Sequence, residues 1–331
     1  MKQYSRDEVE RATLDYFKGD ALATNVFISK YAWHDDDIFY ELTPEDTHNR
    51  MAREFARIST KYLKDLPDGL SSYGKKRFGE IMDHPVDSRF QLLFDRFLQY
   101  FKDFADIIPQ GSVLAVLGTD IIGSLSNCVT LPPIHDSYGG IMFTDQQLTQ
   151  VFKRRGGAGV SISTLRPSRS PVNNVAKTSS GAISFMHRFS NTSREVGQGG
   201  RRSALMITMD CRHPNIEEFI TVKNNSDKVT GANISVKFTD EFFKAVENDT
   251  EFLLRFPVDA DVKTVDDIRN LKVSKTVRAR DIWNKFVASS HKWAEPGAAY
   301  WDKITKYSTD HYYNPIVTSN PSTYMRPLSV S

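Results

Sequence analysis

Residues 180–222 read SGAISFMHRFSNTSREVGQGGRRSALMITMDCRHPNIEEFITV, and this stretch decides the fold class of what surrounds it. Ile183, Met186, Phe189 and Val196 recur at helical spacing, which predicts a helix running up to Gly199-Gly200-Arg201-Arg202. Ala204–Met209 is an apolar run of strand length, and His213-Pro214 reads as the start of a second helix. Helix, glycine turn, strand and helix in succession is α/β texture. A glycine pair backed by two arginines can bring backbone close to a phosphate or a base. A solvated basic turn has the same composition, and the local pattern does not separate the two.

Working outward, the alternation continues on both sides. Downstream, Ala232–Phe238 reads as a strand, Asp240–Val246 as a helix, Glu251–Asp261 as strand then loop, and Ala279–Trp293 as a helix. Pro296–Ile304 is a short apolar segment, and the tail from Tyr307 is loop-like. Upstream, Val113–Leu117 and Asn127–Leu131 read as strands, Asp136-Ser137 as a cap, Asp145–Arg155 as a helix and Val160–Ser163 as a strand. Strand and helix thus alternate from about residue 110, which argues for an α/β layer with parallel strands. Residues 1–108 read as helical. Ser5 and Glu8 have capping-box spacing, and Thr43-Pro-Glu-Asp is a second helix start. Phe90, Leu93, Phe94, Phe97, Phe101 and Phe104 form an aromatic stripe that reads as core rather than as a cofactor box.

Composition excludes several function classes. Apolar residues make up 40% and charged residues 25% of the 331, as in an ordinary soluble globular protein. A net charge of +2 gives no electrostatic case for direct nucleic-acid binding. The longest apolar stretch, Val113–Ile122, is too short to span a membrane and carries Asp120. Two cysteines, Cys128 and Cys211, cannot make a disulfide framework or a four-ligand zinc site, and a cytoplasmic location is expected. The histidines show no metal spacing, so no metal site is expected; His34-Asp-Asp-Asp reads as a solvated loop. Gly156-Gly-Ala-Gly follows a helix rather than a strand, which rules it out as a dinucleotide fingerprint.

Two constellations remain open on residue type alone. Cys128, on a short strand before Pro132-Pro133, is either a small core residue or a redox thiol at a strand end. Asp136, Ser137, Lys153 and Arg166 either lie at strand–helix junctions, where a carboxylate and two cations suit a nucleotide, or are unrelated surface charges.

Taken in order, the motifs resemble the large subunit of ribonucleotide reductase, in its class II or related class I form. The residues that carry the resemblance run through Tyr16-Phe-Lys-Gly-Asp-Ala-Leu-Ala, Thr43-Pro-Glu-Asp, Pro109-Gln-Gly-Ser-Val-Leu, Asn127-Cys128-Val, Asp136-Ser137 and Gly156-Gly-Ala-Gly with Leu165-Arg-Pro. They continue through Gln198-Gly-Gly-Arg-Arg, His213-Pro-Asn-Ile-Glu-Glu-Phe, Thr230-Gly-Ala-Asn-Ile-Ser-Val, Trp293-Ala-Glu-Pro-Gly and Thr318-Ser-Asn-Pro. The resemblance implies an N-terminal helical domain (1–108) followed by the first half of a ten-stranded α/β barrel (109–321), with a divergent tail (322–331). No ATP-cone segment is expected ahead of the helical domain.

Residue by residue, the resemblance implies that Cys128 is one of two thiols that reduce the substrate and become a disulfide. Ser112, Asn127 and Gly157 would line the substrate ribonucleotide, and Asn320 would hydrogen-bond its ribose. Asp136, Ser137, Lys153, Arg166, Asn173 and Asn174 would hold a deoxynucleotide (or ATP) effector. Gly199, Gly200, Arg201, Arg202 and Ser203 would form the loop that carries effector identity to the substrate base. The implied partners are a ribonucleoside di- or triphosphate, a thioredoxin-type reductant, a second copy of the chain, and a radical source. That source is adenosylcobalamin or a metal-containing small subunit.

One departure is plain. Where the family has Asn-Pro-Cys-Gly-Glu, this chain has Asn320-Pro321-Ser322-Thr323-Tyr324. A serine O–H is too strong to relay the thiyl radical, and Tyr324 stands at the position of the general base. The expectation is therefore a chain inactive alone and completed by a separate C-terminal half. The alternative is a catalytically inactive, truncated or regulatory homologue that binds deoxynucleotides.

Overall fold

The computed structural model describes residues 2–63, 71–196, 203–224, 228–309 and 311–320. It divides into two compact units, Met1–Asn127 and Cys128–Ser331.

The first unit contains β1 (Tyr4–Ser5), α1 (Arg6–Tyr16), α2 (Ala21–Lys30), β2 (His34–Asp35), β3 (Ile38–Phe39), α3 (Pro44–Tyr62), α4 (Ser72–Met82), α5 (Val86–Phe101) and α6 (Gly111–Val116). The capping box that opens α1 is formed: the Ser5 N–H donates to the Glu8 carboxylate at 2.8 Å, and the Glu8 N–H to Ser5 Oγ at 3.4 Å. The aromatic stripe of α5 is core, as its spacing predicts. Phe55 of α3 meets Phe97 and Phe101 at ring distances of 5.3 and 5.5 Å, beside buried Met51 and Ala52. Residues 113–117 correct the sequence reading. They are not a strand; most of the run lies in α6. A short apolar run suits either element, and a tertiary contact decides it. Arg50 of α3 donates to the carbonyl of Leu114 at 2.7 Å and to that of Leu117, and is itself held by Glu41 at 2.8 Å. A guanidinium placed there satisfies the carbonyls that a helix end leaves open.

The second unit runs β4 (Cys128–Thr130), α7 (Tyr138–Phe152), β5 (Gly157–Ser161), α8 (Ala182–Glu195), β6 (Leu205–Asp210), α9 (Ile216–Thr221), β7 (Asn233–Phe238) and α10 (Asp240–Glu247). It continues β8 (Glu251–Phe256), α11 (Val265–Asn270), β9 (Val273–Arg278), α12 (Ala279–Trp293), β10 (Gly297–Tyr300) and α13 (Trp301–Tyr307). The parallel α/β layer expected from the alternation is present as a five-stranded sheet of order β10-β7-β6-β5-β4, every neighbour parallel. One face is apolar. Ala158, Val160, Ile207, Val236 and Phe238 are all at most 1% exposed and pack in one cluster with Leu148, Phe152, Met186, Phe189 and Phe286 from the crossover helices.

Three local differences have physical reasons. Helix α7 starts well ahead of Asp145, because Ser137 Oγ accepts from the Gly140 N–H at 3.1 Å; Gly139 and Gly140 lower the helical propensity that a sequence scan follows. Gly140 cannot be larger, since a Cβ there would lie 2.4 Å from the His135 carbonyl. Helix α9 starts at Ile216 rather than at His213, whose ring is fully buried and accepts from the Asn215 N–H at 3.0 Å. Strand β9 pairs antiparallel with β8 and is largely solvated, so it lacks the apolar alternation that marks a strand. No helix among the described residues is long and apolar enough to cross a membrane.

Candidate functional site

Strands of a parallel sheet are usually apolar on both faces. Here the second face is not. The register sets Cys128 beside Gly157, Thr130 beside Gly159, Ser161 beside Thr208, Thr208 beside Ser235, and Asp210 beside Lys237. Because side chains alternate along a strand, all of these share the face opposite the apolar cluster.

An extended strap, residues 317–320, crosses this polar face. Lys237 Nζ of β7 donates to the Val317 carbonyl at 3.0 Å, and Thr208 Oγ1 of β6 meets Thr318 Oγ1 at 2.7 Å. On β5, a Cβ at Gly159 would lie 1.9 Å from the Ser319 carbonyl oxygen and 2.9 Å from Asn320 Cα. The strap therefore passes over β7, β6 and β5 in turn, and the next strand, β4, carries Cys128. Thr318 and Asn320 are buried, at 0% and 4% exposed. Cys128 is partly exposed, and a Cβ at Gly157 would lie 3.0 Å from its Sγ. Only glycine at 159 leaves room for the strap, and a side chain at 157 would crowd the thiol.

The charges on this face are compensated. Arg212 donates through Nη2 and Nε to the two Asp210 oxygens at 2.7 and 2.8 Å. Burial would raise the Asp210 carboxyl, but Arg212 and Lys237 outweigh it and hold the pKa below the usual value. Burial pulls Lys237 down to about 8, against the opposing pull of Asp210. Cys211 lies on the other face, fully buried, 3.8 Å from Thr239 Oγ1, and burial pushes its thiol up.

A separate cavity of about 270 Å³ opens where the segments after β4 and β5 meet the start of α7. Asp136, Ser137, Arg166, Asn173 and Asn174 line it, with Ile141, Leu165 and Phe185 as its apolar wall. Arg166 Nε donates to Asp136 Oδ2 at 2.8 Å, its N–H to Oδ1 at 3.1 Å, and Nη2 to the Asp136 carbonyl at 3.2 Å. Both side chains keep about a third of their surface in solvent, at 35% and 28%. The cavity thus offers a carboxylate, a guanidinium, a helix start and two amides beside an apolar wall, a set that suits a nucleotide.

The sequence profile of the ribonucleotide reductase barrel domain matches residues 126–324. The chain belongs to the ribonucleotide reductase family. It is 29% identical to a vitamin B12-dependent ribonucleoside-diphosphate reductase of Thermoplasma acidophilum, over 90% of this chain and 42% of that protein. A vitamin B12-dependent ribonucleoside-diphosphate reductase of Mycobacterium tuberculosis is 30% identical over 69% of this chain and 31% of its own length. A ribonucleoside-diphosphate reductase large subunit of Caenorhabditis elegans is 28% identical over 59% and 27%. The chain spans less than half the length of each of these relatives. The five-stranded parallel sheet is consistent with part of the reductase barrel.

Against the roles expected of reductase residues, the structure groups the candidates unevenly. Cys128 and Gly157 adjoin, and Asn320 ends the strap on the same face. In the first unit, the Ser112 N–H donates to Asn127 Oδ1 at 3.1 Å. Lys153 does not join the cavity lined by Asp136 and Arg166: it is exposed and caps the far end of α7, on the order of 20 Å from Ser137 along a helix of that length. Gly199, Gly200, Arg201 and Arg202 lie outside the described residues, as do Ser322 and Tyr324. Ser203 is described; it is buried and donates to the Val196 carbonyl at 3.1 Å. With Ser193, Arg194, Thr230 and Asn233 it lines a second cavity of about 810 Å³. Among the described residues no group of three or more His, Cys, Asp or Glu is placed to hold a metal. Sequence reasoning missed Gly159, Ser161, Thr208, Asp210 and Lys237. Their signal was present: small or polar residues at alternate positions, Met206 excepted, of strands otherwise built for burial.

Proposed function

We propose that this chain is the part of a ribonucleotide reductase that presents one reducing thiol, the substrate's glycine-lined floor and the effector pocket. The observation that carries this reading is the position of Cys128, on the polar face, one strand beyond the point where Asn320 crosses. In the reaction, two thiols lose two electrons and two protons and become a disulfide, and the ribose 2′-hydroxyl leaves as water. Cys128 would supply one thiol. Cys211 cannot supply the other, because it is sealed on the opposite face. The partner thiol therefore comes from further residues of the protein or from a second polypeptide, as does the radical cysteine, whose position holds Ser322. Adenosylcobalamin or a metal-containing small subunit would supply the radical.

Asp136, Ser137, Arg166, Asn173 and Asn174 are the proposed seat of a deoxynucleotide effector. A carboxylate there suits a ribose hydroxyl, and the guanidinium and helix start suit phosphate. Tyr138 and Phe143 on α7 are 63% and 57% exposed, which supports a homodimer through this helix. Edge strands β4 and β10 support docking of the remaining barrel. A cytoplasmic location and a thioredoxin-type reductant complete the reading.

Two measurements test it. Calorimetric titration of the purified chain with deoxynucleoside triphosphates should show binding that Arg166→Ala weakens. Ribonucleotide reduction should appear only when the rest of a reductase barrel is present, as further residues of the same protein or as a second polypeptide, together with a radical source, and Cys128→Ser should then end multiple turnover. Deoxynucleotide binding with no turnover in any mixture would favour a regulatory homologue. No binding at all would remove the effector assignment.

A further inference from the structure

Lys237 is a lysine where a buried strand would ordinarily carry an aliphatic side chain. It is 6% exposed, in register with Asp210 on β6 and Ala299 on β10. Its Nζ donates to Ser161 Oγ at 3.1 Å and to the Val317 carbonyl at 3.0 Å, and stands 4.7 Å from the centre of the Trp301 ring. Those contacts come from β5, from the strap and from α13. A buried ammonium is costly unless it is paired and fully bonded. Its placement under a main-chain carbonyl of the strap gives it a task that a methionine or leucine could not perform.

We propose that Lys237 is a positioning residue that fixes how residues 317–320 cross the polar face, and so where Asn320 stands. Its bearing on ribonucleotide reduction rests on the function proposed above; the latch itself does not.

The charged and titratable groups around Lys237 are few. Asp210 faces it across the strand pair, Arg212 and the Cys211 thiol follow on the same chain segment, and β5 brings Ser161. The strap residues Ile316–Asn320 carry no charge, and α13 brings the Trp301 ring. With the strap closed, burial holds the lysine near 8, whereas a lysine released to water returns toward 10.5. Between those values the open form binds more protons, so rising pH favours the closed strap.

Hydrogen exchange read by mass spectrometry on the full chain, from about pH 6.5 to about 9.5 and corrected for intrinsic rates, tests the latch. In the wild type, protection of peptides covering 317–320 should rise about tenfold or more between about pH 7.5 and 9.5. In Lys237→Met and Lys237→Arg the profile should be flat, because neither side chain titrates in that range. At about pH 9.5 the wild-type amine is neutral yet still donates. Lys237→Met should there be about fivefold less protected, the order of one net hydrogen bond. Peptides from β5 and β6 report whether each variant is folded; if Lys237→Met is not, Lys237→Arg carries the test. A flat wild-type profile, or the same slope in either variant, overturns the proposal. No reduction assay enters, so failed complementation would count against the reductase reading and leave the latch standing.

Discussion

On one side of the parallel sheet, Val160, Ile207, Val236 and Phe238 are sealed under helices. On the other, one residue along each strand, Gly159, Thr208 and Lys237 bear a single extended strap. The two faces share every backbone hydrogen bond and differ only in what the alternate residues are. The apolar face is held by area removed from water, which is non-directional and tolerates conservative repacking. The polar face is held by a few directional contacts and by missing side chains, and so specifies a position rather than a stability. Changes on the two faces should therefore separate into losses of global stability and losses of local order.

The largest effect expected is on the apolar face. Phe238 meets Phe242, Phe286 and Trp283 at ring distances of 4.9, 5.0 and 5.6 Å. Phe238→Ala should cost about 3–5 kcal/mol of unfolding free energy, read by chemical denaturation. A cost under about 1 kcal/mol would mean that this cluster does not carry the unit. Next comes Gly159→Ala, where the added methyl would collide with the Ser319 carbonyl. Overpacking of this kind costs about 1–3 kcal/mol, and displacing the strap is the way to avoid it. Exchange of 317–320 should rise by one to two orders of magnitude, with global unfolding little changed. An equal fall in global stability would erase the distinction between the faces.

The cavity at the strand ends belongs to neither face, and Arg166 isolates it. Arg166→Ala should weaken deoxynucleotide binding about tenfold to a hundredfold by calorimetry, the range of one charge-assisted pair. Exchange across 317–320 should stay as it is in the unliganded chain. A change in strap protection without ligand would show that the cavity and the strap are coupled through the sheet.

How much of this was legible depended on how local the cause was. The cap at Ser5, the core stripe of α5 and the bounds of α12 follow from neighbours within a turn or two, and all are present. Helix α6 was hidden because its state depends on Arg50, more than sixty positions away. Strand β9 was hidden because its solvated residues carry no alternation. The cavity residues Asp136, Ser137 and Arg166 lie near element ends that turn chemistry marks, whereas Lys153 needed the direction of α7 to be known. In the polar face, Gly157-x-Gly159-x-Ser161 displayed its spacing openly, but Lys237 acquires meaning only from Val317, a contact spanning eighty residues.

Thr208 offers the finest division between the faces, because threonine and valine have nearly the same shape. Its Oγ1 lies 2.7 Å from Thr318 Oγ1 and 3.4 Å from the Val160 carbonyl, so one hydroxyl touches both the strap and its own sheet. Thr208→Val would remove that hydroxyl and leave the volume almost unchanged. Thr318 would keep its second contact, to the Ser319 carbonyl at 3.2 Å, so no fully orphaned group would remain. The expected loss is that of one net hydrogen bond, about 1 kcal/mol, or roughly fivefold faster exchange across 317–320. The denaturation midpoint should hardly move, since the apolar face is untouched. A larger loss would mean that the hydroxyl pair fixes the register of the whole strap. No loss would leave the strap to Lys237 and to the space at Gly159.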